Sequence, residues 1–275
     1  MKLYLKSKDF TLSGETFQLL YDSKRDMLIT DPQPKDLSKY YESDEYISHT
    51  DSAVSLLDKV YQFVKQLNLR SKLSLINSNS CGDKSLLDIG AGTGDFLAFS
   101  KTKGWKVVGV EPNKRAQNKA AEKGVDLKDN LKALPEQHFD VITLWHVLEH
   151  LPDLDKQIAE MVSLLKDNGT LIVAVPNYKS FDAGFYKNFW AAFDVPRHLW
   201  HFSRKSIPIV FDKHGMKVVK TKPMIFDAFY VSLLSEKYRT GKQHFFRAFC
   251  VGLYSNIKAL WSKEYSSVIY ILKRA

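Results

Sequence analysis

Residues 86–95 read Leu-Leu-Asp-Ile-Gly-Ala-Gly-Thr-Gly-Asp. A short apolar run leads directly into glycines at positions 90, 92 and 94, and a helical pattern begins at once. Glycine lets a backbone turn tightly and approach a ligand closely, so the segment reads as a strand-to-helix junction built around something bound. A parallel pair needs a crossover of a dozen or more residues, usually a helix, so strands that alternate with helices read as a parallel sheet. The chain repeats this unit. Strand-like runs at 106–110, 139–144 and 170–175 alternate with helical stretches at 94–103, 113–123 and 154–165. The alternation predicts an α/β fold with a mainly parallel sheet and helices on both faces. Segments 217–222 and 267–272 are further strands, and between them Phe246, Phe249, Leu253, Ile257 and Leu260 sit at helical spacing.

The next strand, Val107-Val-Gly-Val, ends on Glu111 and Pro112. Ligands of open α/β sheets bind at the carboxyl ends of the strands. An acidic side chain at the tip of the second strand can accept two hydrogen bonds from a ribose diol. A glycine turn and that carboxylate together point to a nucleoside-containing cofactor. The dinucleotide fingerprint requires a third glycine in a G-x-G-x-x-G pattern. Asp95 occupies that place here, and the observed spacing is G-x-G-x-G, which disfavours an NAD-dependent enzyme.

This pattern resembles the class I S-adenosylmethionine-dependent methyltransferases. The likeness continues through Phe139-Asp-Val-Ile-Thr-Leu-Trp-His-Val-Leu-Glu-His-Leu-Pro152 and Leu164-Leu-Lys-Asp-Asn-Gly-Thr-Leu-Ile-Val-Ala-Val-Pro-Asn177, and it is close over residues 82–178. The resemblance implies a Rossmann-like seven-stranded sheet of order 3-2-1-4-5-7-6 whose last strand, 267–272, is antiparallel. It implies S-adenosylmethionine as cofactor and S-adenosylhomocysteine as product. Asp88, Gly90 and Gly92 would hold the methionine portion, Glu111 the ribose, and Asp129, Asn130 and Leu131 would lie beside the adenine, with Ala91, Gly94 and Pro112 also among the cofactor-binding residues. Trp145 and His146 would line the cofactor near the reacting carbon. Phe193-Asp-Val-Pro-Arg-His-Leu-Trp-His-Phe-Ser203 resembles a segment of a bacterial subgroup of the family. His198 and His201, three apart, are placed on one side of a helical turn. With His146 they are the candidate catalytic groups, His201 foremost. The competing reading pairs Arg197 and His198 with carboxylates such as Glu149. No metal is expected at these histidines for want of further nearby ligands.

Relatives in that subgroup carry a zinc-binding element ahead of a T-x-P-x-P stretch, which is Thr30-Asp-Pro-Gln-Pro34 here. Their cysteine positions fall at about Asp22 and Arg25, so no zinc is expected. Residues 1–50 are then a degenerate zinc-ribbon-like β element and linker with strands at 10–12, 17–21 and 27–30. Residues 51–80 are a helical cap, its helix at 52–73, and Tyr40, Tyr41 and Tyr46 are candidate pocket aromatics. Residues 81–275 are the cofactor-binding domain with a helical insertion at 224–264.

Charge and cysteine usage bound the partners. Residues 1–196 hold 25 basic and 27 acidic side chains, whereas residues 197–275 hold 15 basic and 4 acidic. A small-molecule acceptor, of anionic character, is the expected partner. Nucleic acid is not expected, since no known module's aromatic–basic signature appears. A nucleic-acid or membrane-surface binder on the same scaffold is the alternative, and peripheral membrane contact through the basic C-terminal region and a homodimer formed through the N-terminal hairpin stay open. Two cysteines, Cys81 and Cys250, cannot make a disulfide framework, and a cytoplasmic location is the expectation. No apolar run reaches the roughly 18 residues of a membrane span, and the first ten residues alternate lysine with apolar residues rather than forming a secretory signal.

Overall fold

Period-two alternation decides how the strands divide their side chains between the two faces of the main sheet. The computed structural model describes residues 1–41, 56–80, 82–134 and 138–275. The N-terminal strands are β1 (Lys2–Lys8), β2 (Thr16–Asp22) and β3 (Met27–Asp31), followed by helix α1 (Leu56–Asn77). The alternating core comprises β4 (Ser85–Ile89), α2 (Asp95–Lys101), β5 (Lys106–Val110), α3 (Lys114–Glu122), β6 (Leu127–Lys128), β7 (Phe139–Trp145), α4 (Leu154–Ser163) and β8 (Leu165–Pro176). After it come α5 (Phe181–Tyr186), β9 (Trp200–His201), α6 (Ser206–Asp212), β10 (Met216–Pro223), α7 (Asp227–Thr240), α8 (Phe245–Ser262) and β11 (Ser267–Arg274).

The seven-stranded sheet runs β6-β5-β4-β7-β8-β11-β10. Strands β4 to β8 pair in parallel, and β11 is antiparallel to both neighbours. This is the expected methyltransferase-type order with its antiparallel last-entering strand. Leu86, Val141, Ile172 and Ile271 face α1 and α2, together with Phe96, Leu97 and Trp105. Leu87, Ile142, Val173 and Tyr270 face the opposite layer, which includes Ile158, Met161, Val210 and Phe211. Each strand therefore feeds both cores, and this sandwiched burial explains why its apolar runs are nearly continuous.

The N-terminal strands form a smaller four-stranded sheet of order β1-β2-β3-β9. Its fourth strand belongs to the same chain, with Leu28 opposite His201 and Ile29 opposite Trp200. Residues 10–12 are not a strand. The Asp9 carboxylate accepts the backbone N–H groups of Thr11, Leu12 and Ser13 at 3.0, 3.2 and 2.9 Å, and that local bonding bends the segment into a turn. At the expected cysteine positions, Arg25 donates to Asp22 at 2.8 Å, an ion pair that closes the β2–β3 hairpin. A helix is present where one was expected at 52–73, as α1, and it continues to Asn77. Its start at 52–55, Tyr46 and Cys81 lie outside the described residues.

His198 and His201 do not share a helical turn. His201 lies in β9 and His198 in the turn before it, with ring centroids 6.3 Å apart. Pairing of β9 with β3 pulls the segment into extended backbone, so the i,i+3 relation loses its helical meaning.

Candidate active site

The glycine turn is shaped by backbone demands. Gly90, Gly92 and Gly94 all have positive φ, at 69°, 53° and 73°. A Cβ on Gly90 would lie 2.3 Å from Val147 Cγ2, and one on Gly94 2.8 Å from the Ala120 Cβ. A Cβ on Gly92 would meet nothing within 4 Å, because that position looks into open space. That space is a cleft of about 320 Å³, lined among others by Lys72, Asp88, Gly90, Gly92, Asp95 and Trp145. Ala91 and Phe96 line it as well.

Glu111 braces the turn. Its carboxylate accepts the Gly92 N–H at 3.0 Å and the Asn113 N–H at 3.0 Å. Pro112 follows it, exposed at the end of β5. Asp129 lies at the surface and is held by Lys114 at 2.6 Å and Gln117 at 2.7 Å. Asn130 is exposed beside it, and Leu131 packs against the main core. Asp95, the departure from the dinucleotide pattern, pairs with Lys65 at 3.0 Å and Lys123 at 2.9 Å and so ties α2 to α1 and to the end of α3.

Asp88 is buried, and the Thr143 hydroxyl donates to it at 2.5 Å. Burial pushes its pKa up to about 6, with nearby Lys72 opposing the rise. The Lys72 ammonium lies 4.4 Å from the Trp145 ring centroid, and burial lowers its pKa while Asp88 opposes. Sequence reading missed Lys72. Only a lysine on the apolar side of α1 marked it, and lysines there commonly reach back to solvent. A buried carboxylate and a half-buried ammonium facing one cleft match the ammonium and carboxylate of an α-amino acid. With the glycine cradle and Glu111, the residues present fit the cofactor expected from the sequence.

His146 follows Trp145 yet serves another cavity. Its φ of 57° puts it in the left-handed region, where a non-glycine residue is strained. The bend turns consecutive side chains apart: Trp145 lines the cleft, and His146 lines a cavity of about 580 Å³. That cavity is also lined by His150, Asp194, His198, Asp227 and Tyr238. His146 Nε2 lies 2.9 Å from Asp227 and Nδ1 3.4 Å from Glu149. Burial works against its charge, but Asp227 and then Glu149 outweigh it and raise its pKa to about 10. His146 is therefore an imidazolium at neutral pH. Asp227 escaped sequence reading because it arrives from α7, far along the chain.

His198 is the opposite case. Its Nδ1 lies 2.9 Å from the Ala192 carbonyl, which can only accept, so that nitrogen carries the proton and Nε2 keeps its lone pair. Burial and then His150 hold its pKa well below the usual histidine value. His201 does not line the cavity. Its Nε2 lies 2.9 Å from Thr30 Oγ1, which itself donates to the His198 carbonyl, and burial lowers its pKa to about 3. Arg197 pairs with Asp194 and Asp9 rather than with Glu149. Contrary to the expectation that no further ligands lie near the histidines, Glu149 and His150 approach His198, with one ligand atom from each within 4.8 Å of the others. The "LEHL" run was the signal that could have found them. Tyr40 is buried and donates to Glu15 at 2.6 Å, whereas the Tyr41 hydroxyl lies 2.9 Å from His150 Nδ1.

These shifts give opposite pH dependences. His146, raised to about 10, stabilises the fold fully below pH 6.5 and loses that contribution as pH climbs to about 10. His201, depressed to about 3, leaves stability intact above pH 6.5 and costs stability as pH falls toward 3. Thermal melts across pH should show both limbs. Asp227→Asn should flatten the alkaline limb alone and move the His146 titration, followed by NMR, toward neutrality.

A family model for the methyltransferase domain matches residues 57–221. Among curated proteins, a ubiquinone biosynthesis O-methyltransferase of Rhodopseudomonas palustris is 27% identical over 158 residues, 52% of this chain and 62% of that protein. The chain thus spans less than two thirds of that relative's length. Among solved structures, the magnesium protoporphyrin IX methyltransferase of Synechocystis, which contains bound S-adenosylhomocysteine, aligns over 86% of this chain and 97% of its own, with a TM-score of 0.56 and 17% identity. A cyclopropane synthase of Mycobacterium tuberculosis aligns over 74% of this chain and 82% of its own, with a TM-score of 0.51 and 13% identity.

Proposed function

The chain belongs to the methyltransferase-domain family, and from that membership we propose that it transfers a methyl group from S-adenosylmethionine to a hydroxyl oxygen of a small-molecule acceptor. The observation that carries this reading is the bend at Trp145–His146, which sets an amino-acid-complementary cleft and a histidine-lined cavity on consecutive residues. Asp88 would hold the cofactor's ammonium, Lys72 its carboxylate and Glu111 its ribose. The bound cofactor supplies an electrophilic methyl group on a sulfonium, so the protein's work is alignment, exclusion of water and removal of one proton.

An oxygen nucleophile suits the second cavity. Neutral His198 offers a lone pair for the hydroxyl proton, while His146, already protonated, cannot take it. Its fixed contacts to Asp227 and Glu149 make His146 a positioning residue that holds α7 over the cavity. The ubiquinone biosynthesis relatives are named for O-methylation, which supports the same choice. Carbon methylation is the second reading, and mass spectrometry of the product separates the two.

Isothermal calorimetry should show micromolar binding of S-adenosylmethionine and none of NAD. Glu111→Ala removes a charged acceptor, and it should weaken binding about 10- to 100-fold, the equivalent of about 1.5–3 kcal/mol. Wild-type affinity in that variant would overturn the assignment of the cleft.

A further inference from the structure

Helix α8 is built inside out. Its buried stripe is Ala248, Val251, Gly252, Ser255 and Ala259, mostly small residues. Its large apolar residues Phe246, Phe249, Leu253, Ile257 and Leu260, at intervals of 3, 4, 4 and 3, all face solvent. Phe246 is 82% exposed, and Trp261 at the end of the same face is 77% exposed. This orientation is firmly held. A Cβ on Gly252 would lie 2.9 Å from the Ala228 carbonyl oxygen, so only glycine allows α7 and α8 to approach so closely. Ser255 donates at 2.7 Å to buried Asp182, which also accepts from Trp190 and Ser266 at 2.7 Å. The helix cannot roll its aromatics inward without breaking that network. Just before α7, Ile225 and Phe226 are exposed as well, and the Asn256 amide on α8 donates to the Ile225 carbonyl at 2.8 Å, which sets them beside the stripe. A contiguous apolar surface of this kind marks a contact site.

We propose that this face docks on the surface of an anionic phospholipid bilayer, with α8 lying in the interface plane. Tryptophan, phenylalanine and leucine on one face with arginine and lysine at the flanks is the pattern of an interfacial helix. Lys258 borders the stripe, as does Arg247, which also pairs with Glu236 at 3.2 Å, and Lys242 and Lys263 lie beyond the helix ends. The helix itself contains no acidic residue. The charge of the surrounding segment decides between a bilayer and a second copy of the chain. Residues 242–263, which are α8 and its flanks, carry Lys242, Arg247, Lys258 and Lys263 and no acidic side chain, so two copies would bring like charges together, whereas an anionic leaflet attracts them. Among the described residues no helix is long and apolar enough to cross a membrane, so the contact lies on one leaflet.

Flotation of the full chain with vesicles of phosphatidylglycerol and phosphatidylcholine, against phosphatidylcholine alone, tests the assignment. The anionic vesicles should capture the protein, and capture should fall with salt. Trp261 emission should shift to the blue, since Trp105 and Trp190 are buried and Trp145 and Trp200 partly so. Phe246→Glu should lower the bound fraction at least tenfold while leaving the melting temperature and S-adenosylmethionine affinity unchanged. Capture that Phe246→Glu leaves intact would reduce the effect to charge alone and overturn the docking face. So would a dimer in sedimentation velocity that Phe246→Glu dissolves without any vesicle binding, or binding to duplex DNA as strong as to the vesicles.

Discussion

Replacing Arg197 by methionine should lower the unfolding free energy by about 3–5 kcal/mol, a large share of the roughly 5–15 kcal/mol that holds a domain together. Arg197 is 1% exposed and joins three separate pieces of chain. Its guanidinium donates to Asp194 at 2.5 and 3.0 Å, to Asp9 at 3.1 Å and to the Tyr40 carbonyl at 3.2 Å. Methionine fills the space but leaves both carboxylates without their cation. Asp9 cannot simply neutralise, because the turn at 11–13 donates several hydrogen bonds to its charged form. Burial alone would raise both acids, yet the serine turn and Arg197 hold Asp9 below the usual carboxylate range, and Arg197 does the same for Asp194.

The sign of the pH effect follows. Carboxylates with depressed folded pKa values stabilise above their unfolded value of 3.8, and that contribution is lost as pH falls. The deficit of Arg197→Met in urea denaturation should therefore be largest at neutral pH and shrink on acidification. Asp9→Asn in the Arg197→Met background should recover part of it, since the two sites are in contact and do not add. Arg197→Lys should fall between, because an ammonium cannot serve the fork of acceptors that a guanidinium spans.

The parts of the molecule that could be read from sequence are those whose physics is local. Gly90, Gly92 and Gly94, clustered at a strand end, announce a tight turn with close backbone approach, and alternation in β4, β7 and β8 assigns side chains to faces before any partner is known. Glu111 was found because strand ends are where an α/β sheet exposes its chemistry. The failures are long-range. Spacing put His198 and His201 on one helical turn, but pairing of β9 with β3 made that stretch extended. Residues 10–12 have strand composition, and the Asp9 side chain took the N–H groups a ladder would need. Periodicity in α8 identified the helix correctly, yet a stripe of phenylalanines and leucines carries no sign of whether it faces inward. The small residues on the opposite side, Gly252 above all, were the only local hint. Asp227 and Lys72 reach their sites from elements that no spacing rule connects to His146 or Asp88.

Turnover, in contrast to stability, should hinge on His198. His198→Asn is expected to lower kcat about 10²- to 10⁴-fold, the range that a general base contributes, with S-adenosylmethionine affinity unchanged. Asparagine is the informative replacement because its amide nitrogen falls near the imidazole Nδ1. It can still donate to the Ala192 carbonyl and support the loop, while the Nε2 lone pair is gone. His201→Gln is the matching control, since the glutamine amide falls near Nε2 and preserves the bond to Thr30. Turnover should survive there, because His201 lies outside the cavity and its hydrogen bonds run to Thr30 and β3. His198 titrates well below 6.5, so loss of activity on acidification should begin only below that value. Unchanged kcat in His198→Asn together with collapse in His201→Gln would move proton removal to the far side of β9. Loss of cofactor affinity in His198→Asn would instead show that the wall between cleft and cavity had shifted, and the pH profile of the residual activity distinguishes that from loss of a base.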